Sequence, residues 1–66
     1  MFVNIGDKIK ITYMNGEPQE TGKVGIVKYV DDFGQYHGTW SGLAVIPDMD
    51  EFEVIERADN VQGKTN

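Results

Sequence analysis

Three short runs of apolar, β-branched and aromatic residues fill residues 24–47, VGIVKYVDDFGQYHGTWSGLAVIP, and two turn signals separate them. The first turn is the sequence DDFG at residues 31–34, and the second is SG at residues 41–42. Aspartate side chains accept hydrogen bonds from backbone amides two residues on, and glycine adopts positive φ without steric cost. The spacing therefore predicts antiparallel strands joined by tight turns.

The flanking segments extend this strand pattern. From Lys8 to Tyr13 apolar side chains alternate with polar ones, which is the period of a half-buried strand, and the lysines favour an edge strand. Gly25 lies inside the second run and predicts a bulge or bend there. Trp40 is the largest candidate for the core. Five strands are predicted, at residues 8–13, 24–30, 35–40, 43–46 and 52–56, with a single helical turn beginning at Pro47 before the last strand.

Five short strands without a helical period indicate an all-β domain. A small five-stranded SH3-like barrel over residues 1–56 fits best, because the first loop is long and the later turns are tight. An OB-type barrel is the main rival, although that fold usually has longer strands and an inserted helix. Residues 57–66 are polar and predict a flexible C-terminal tail. At 66 residues the chain allows one domain with a small core.

The net charge of −5 is concentrated near the C-terminus, where residues 47–59 hold six acidic side chains against Arg57 alone. This acidity weighs against a large phosphate-binding surface. The chain has no cysteine and one histidine, which excludes disulfides and zinc sites of the usual kind. Residues 48–53 have the acidic character of a calcium loop but lack its central glycine and its terminal bidentate glutamate. We therefore expect no metal and no cofactor.

Nothing in the sequence predicts catalysis, because no nucleophile has an adjacent base and a third orienting group. His37 is expected to be structural, hydrogen-bonded to Asp31 or Asp32 across the turn. No apolar run approaches the length of a membrane span, and the N-terminus lacks the pattern of a signal peptide. These observations predict a non-enzymatic cytoplasmic protein with no membrane contact.

The segments GDKIKI, VDDFGQYH, TW and LAVIPDMDEF resemble a bacterial family of small SH3-like domains that has no assigned function. The resemblance runs from about Gly6 to Ile55 and implies a small protein of bacteria, phages or mobile elements. It brings no catalytic residues with it. Two features depart from the family pattern: Gly38 replaces a β-branched residue, and the turn at residues 41–42 is short.

The sequence supports two hypotheses of function. The first is an interaction module that binds an unknown protein, with a surface formed by Phe33, Tyr36, Asp48, Asp50, Glu51 and Glu53. Phe33 either folds back over the barrel or is exposed to a partner, and the sequence leaves both open. The alternative is weak nucleic-acid binding through a face formed by Lys8, Lys10, Lys23, Lys28, Tyr13 and Tyr29. In either case we expect a monomer or a weak homodimer.

Overall fold

The computed structural model describes residues 3–58, which form an open antiparallel sheet of four strands. The strands are β1 (Lys8–Tyr13), β2 (Val24–Val30), β3 (Tyr36–Gly38) and β4 (Glu51–Glu56), in the spatial order β3-β2-β1-β4. The all-β prediction is confirmed, and β1 and β2 have the predicted bounds. The five-stranded SH3-like barrel is not confirmed, because the described strands form a four-stranded sheet that does not close.

The predicted fourth strand at residues 43–46 is reduced to one bridge, in which Val45 exchanges two backbone hydrogen bonds with Tyr36. The reason lies just before it, where the chain curls around an indole ring. Trp40 Nε1 donates a 2.8 Å hydrogen bond to the carbonyl of Leu43, and the Leu43 amide donates to Ser41 Oγ. These bonds replace the two-residue turn predicted at residues 41–42.

The single helical turn predicted before the last strand is a hydrogen-bonded turn. The short 3₁₀ helix of this structure lies in the first loop instead. The amides of Met49 and Asp50 both donate to the carbonyl of Ile46. The 3₁₀ helix spans Pro18–Glu20 in the first loop, with proline at its start. The Asp50 carboxylate also accepts a 2.8 Å hydrogen bond from the Ile46 amide, so Ile46 and Asp50 are joined by two hydrogen bonds.

Strand β1 lies inside the sheet, which corrects the prediction of an edge strand. It pairs with β2 on one side and with β4 on the other. In the β1–β4 register Lys8 lies opposite Glu56 and Lys10 lies opposite Glu53. The lysines therefore face an acidic strand, and opposite charges across a ladder stabilise the pairing.

The core is small and includes Trp40, which is 6% exposed, so its predicted burial in the core is confirmed. The fully or almost fully buried apolar residues among those described are Ile9, Ile11, Met14, Val27, Trp40 and Val45. Tyr36 of β3 and Phe52 of β4 meet edge to face, with ring centroids 5.6 Å apart. Because these rings come from the two outer strands, the open sheet must be curled around the core.

Gly25 provides space rather than a bend, which corrects its predicted role. It pairs in regular register with Ile9, and the irregular part of β2 lies further on, between Val27 and Tyr29. A Cβ atom on Gly25 would clash with the backbone of Trp40 and the side chain of Thr39. Glycine is required because the chain after β3 crosses close to β2.

Asp7 is fully buried and joins the two ends of the domain. Its carboxylate accepts hydrogen bonds from the amides of Asn4 and Ala58, and Arg57 Nη1 lies 3.1 Å from Oδ2. Burial alone would raise the pKa of Asp7, but these donors outweigh it and hold the pKa below its ordinary value. Of the predicted tail, Arg57 and Ala58 are thus held against Asp7, and residues 59–66 lie outside the described residues.

Candidate functional site

The turn between β2 and β3 presents Phe33 to solvent, with 86% of the residue exposed. Asp31 Oδ1 accepts hydrogen bonds from the amides of Phe33 and Gln35, at 2.9 and 3.0 Å. Gly34 has φ +79°, a left-handed conformation that glycine adopts readily. The turn forms through the interactions predicted for aspartate and glycine. Of the two predicted alternatives for Phe33, folding back over the core or exposure to solvent, the structure shows exposure.

The other oxygen of Asp31 binds His37, which confirms the predicted pairing across the turn. Asp31 Oδ2 and His37 Nε2 are 2.8 Å apart. The imidazole also stacks on Tyr29, with ring centroids 4.4 Å apart and planes within 2°. The hydrogen bond from His37 and the amide of Gln35 lower the pKa of Asp31. The exposed phenyl ring thus rests on a hairpin that is fixed by side-chain contacts.

The acidic residues predicted for the interaction surface divide into two groups. Asp48, Glu51 and Glu53 are exposed. Asp50 is only 7% exposed, because its oxygens accept hydrogen bonds from the amides of Asn15 (2.9 Å) and Ile46 (2.8 Å). Asp50 therefore ties the first loop to the turn before β4, and its carboxylate does not contribute an accessible charge.

Tyr36, Asp50 and Glu51 come together around a depression of about 370 Å³, together with Thr12, Pro47 and Phe52. Phe33, Asp48 and Glu53 do not line it. The predicted interaction surface is therefore not one continuous site: the phenyl ring marks the hairpin turn, and the Tyr36–Glu51 depression lies between the starts of β3 and β4.

A second groove of about 270 Å³ shares Asp50 with this depression and was not predicted. Its apolar lining comes from two segments that are far apart in sequence, and its polar rim includes Glu17. The large apolar residues that line the groove are Met14, Leu43, Ile46 and Met49. No local sequence pattern marks this groove, because its lining comes from segments about 30 residues apart.

Two buried carboxylates connect the segments that line this groove. Asp50 is one, and Glu20 in the 3₁₀ helix is the other. Glu20 accepts a 2.7 Å hydrogen bond from Ser41 Oγ and a 3.0 Å bond from Lys23 Nζ. The Ser41 hydroxyl and the Lys23 ammonium group lower the pKa of Glu20. The first loop is therefore joined to the chain at Ser41 as well as at Ile46.

Three of the four lysines of the alternative nucleic-acid face lie next to or opposite glutamates. Lys8 Nζ is 3.6 Å from Glu56 Oε1, and Lys23 Nζ is 3.0 Å from Glu20 Oε2. Lys10 lies opposite Glu53, as described above. Lys28, Tyr13 and Tyr29 are exposed, but Tyr13 hydrogen-bonds to the side chain of Asn15 and Tyr29 stacks on His37.

Two further features concern metals and membranes. Within residues 3–58, no group of three or more histidine, aspartate or glutamate side chains is arranged to hold a metal ion. The described part of the chain also contains no helix that is both long enough and apolar enough to cross a membrane.

Comparison with known proteins identifies the family. A family model described as "Domain of unknown function (DUF4314)" matches residues 3–55, which is more than half of the chain. The chain belongs to this family. No curated protein and no solved structure matches it. Membership in DUF4314 confirms the expected small domain without an assigned function.

Proposed function

We propose that this DUF4314 domain is a non-enzymatic module that binds another protein through the Phe33 turn. The observation that carries the proposal is the 86% exposure of Phe33 on a turn fixed by Asp31 and His37. An exposed ring gains about 1.5–3 kcal/mol when it is fully buried. Aromatic residues that insert into a partner's pocket are typical anchors of protein interfaces.

The rigidity of the hairpin supports this proposal. Ordering a flexible side chain and loop on binding costs about 0.5–1.5 kcal/mol for each side chain that is immobilised. The turn that carries Phe33 is already fixed by two amide hydrogen bonds to Asp31 and by the Asp31–His37 contact. Binding therefore costs less conformational entropy, because the turn is already ordered in the free domain.

The charge supports a partner with a basic surface. Asp48, Glu51 and Glu53 are exposed, and the net charge of the chain is −5. Complementary charge accelerates encounter and selects among partners. The nucleic-acid alternative is disfavoured by the carboxylates next to Lys8 and Lys23 and opposite Lys10. A bound phosphate would have to compete with these carboxylates for the lysine ammonium groups.

The resemblance seen in the sequence supplies a setting for this function. It supports an SH3-like interaction domain in the cytoplasm of a bacterium, or one encoded by a phage or mobile element. The partner would then be a protein of the same cell.

Site-specific photo-crosslinking tests the proposal. A photoreactive phenylalanine analogue at position 33 of the full chain should crosslink to a discrete protein in nuclease-treated host extract. The same analogue at Ile5, which is also exposed, is the matched control. Phe33→Ala should abolish capture of that protein and Ile5→Ala should not. Equal capture by both variants, or salt-sensitive gel shifts of nucleic acid that depend on Lys8 and Lys10, would overturn the proposal.

A further inference from the structure

We propose that the groove beside Asp50 binds an extended peptide segment of a partner protein, with an apolar side chain next to a lysine or arginine. The inference goes beyond the proposed binding through Phe33. It concerns a surface other than the Phe33 turn and names the chemistry of the partner.

The apolar part of the peptide is inferred from the lining of the groove. Met14 and Ile46 form its inner part, while Leu43 and Met49 are exposed at its edge. Methionine side chains adapt to ligands of different shape, which suits a surface that receives an aliphatic or aromatic side chain. The volume of about 270 Å³ lies just below the roughly 300–1,000 Å³ of small-molecule sites, so a side chain fits better than a large cofactor.

The basic part of the peptide is inferred from charge complementarity. Glu17 lines the groove, and Glu51 lines the depression that shares Asp50 with it. The acidic stretch of residues 47–59 contains Glu51 and accounts for the net negative charge. A peptide lying across both depressions would therefore place its lysine or arginine near a glutamate while its apolar neighbour enters the groove.

The groove is already formed in the free domain. Asp50 bonds to the amides of Asn15 and Ile46, which belong to the two segments that line the groove. Glu20 and Ser41 form a second link between the same parts of the chain. A binding surface fixed in advance loses less conformational entropy when its ligand arrives.

A second copy of the chain is a poorer occupant of the groove. Phe33 is the most exposed large apolar residue among those described, and Asp31 and Asp32 lie next to it in the turn. Its insertion beside Glu17 of another copy would bring like charges together, and each copy carries a net charge of −5. Charge therefore favours a basic peptide from a different protein.

The test is an NMR titration of the full chain with short capped peptides. The main probe alternates leucine and arginine. One control peptide has glutamate in place of arginine, and the other has serine in place of leucine. We expect saturable shifts at the amides of Asn15, Leu43 and Met49 with the main probe, and binding at least about tenfold weaker with each control peptide.

Two pairs of variants make the test specific. Met49→Ser should weaken binding about tenfold, whereas Ile55→Ser should not, although these side chains are similarly exposed (50% and 47%). Glu17→Gln should weaken binding and Glu56→Gln should not, because only Glu17 lines the groove. Equal effects within either pair would show that the groove does not determine binding, and would overturn the inference.

Other outcomes separate this inference from the proposed function. Sedimentation that shows a dimer lost in Met49→Ser would identify a second copy as the occupant and overturn the inference. If the crosslinking at Phe33 succeeds and no peptide shifts the groove amides, the inference fails and the proposed function stands. If neither experiment shows binding, both fail.

Discussion

The indole ring of Trp40 lies against Gly38, at the position that a side chain of residue 38 would occupy. A Cβ atom there would clash with Trp40 Cζ3 and Cη2 and with the carbonyl oxygen of Ile26. Glycine at position 38 therefore leaves the room that the indole ring occupies. The position of Trp40, the only tryptophan in the chain, therefore requires glycine at residue 38.

Gly38→Ala is expected to destabilise the domain by about 1–3 kcal/mol or more, because the indole and the β2 backbone must shift to admit the methyl group. Urea unfolding followed by Trp40 fluorescence measures this change. Gly42→Ala is the matched control, since nothing lies within 4 Å of its added Cβ, and its effect should stay within about 1 kcal/mol. Equal stabilities of the two variants would contradict the described packing.

Asp50→Asn should lower the free energy of unfolding by about 1–3 kcal/mol, because an amide has one oxygen to accept the two hydrogen bonds from Asn15 and Ile46. Faster hydrogen exchange at both amides should accompany the loss. Asp48→Asn changes the same charge at an exposed position and should have little effect. An equal decrease in the free energy of unfolding of both variants would show that the loss of a negative charge, and not the loss of a hydrogen bond, causes the effect.

Asp7→Asn should cost about 1–3 kcal/mol by weakening the link between the Asn4 turn and residues 57–58. Thermal unfolding of the full chain measures the loss. Exposed Asp32 supplies the control Asp32→Asn, which removes the same charge without touching this link. Unchanged stability of Asp7→Asn would show that Arg57 and Ala58 do not depend on the carboxylate.

Acid should destabilise the domain. In the folded protein the pKa values of three carboxylates, Asp7, Glu20 and Asp31, lie below their ordinary values, which are 3.8 for aspartate and 4.5 for glutamate. Between the folded and the unfolded pKa values, the unfolded chain binds more protons than the folded one. The stability that these carboxylates contribute is therefore fully present above the unfolded pKa values. It is lost as the pH falls through the lower folded pKa values. Urea unfolding at about pH 6 and about pH 3 tests the direction. Asp7→Asn should show a smaller dependence, and stability that rises on acidification would contradict this account.

Local sequence signals predicted the features that depend on neighbouring residues. Lys8–Tyr13 and Val24–Val30 were predicted with the correct bounds, because alternation and flanking turn residues act within a few positions of each strand. The hydrogen bonds of Asp31 and its contact with His37 were also predicted, since they span no more than six residues. The family match confirms the expected small domain without an assigned function.

Most of the errors and omissions arose where a residue's partner is distant in sequence, but the loss of the fourth strand has a local cause. Residues 43–46 are apolar enough for a strand, but the hydrogen bond from Trp40 to Leu43 redirects the backbone before a ladder can form. Asp50 appears in the sequence as one acid in an acidic run, yet its partner Asn15 makes it a buried structural group. The groove beside it is lined by segments about 30 residues apart, so no local pattern could reveal it.

The sequence by itself determined the all-β class, the strands β1 and β2, the Asp31–Gly34 turn and the core position of Trp40. These follow from side-chain period, backbone preference and hydrophobicity, which are properties of short segments. Only the tertiary structure decided the strand order, the interior place of β1, the burial of Asp50 and the exposure of Phe33. Those depend on which distant groups meet when the sheet curls, because burial and hydrogen bonding are determined by contacts across the whole chain.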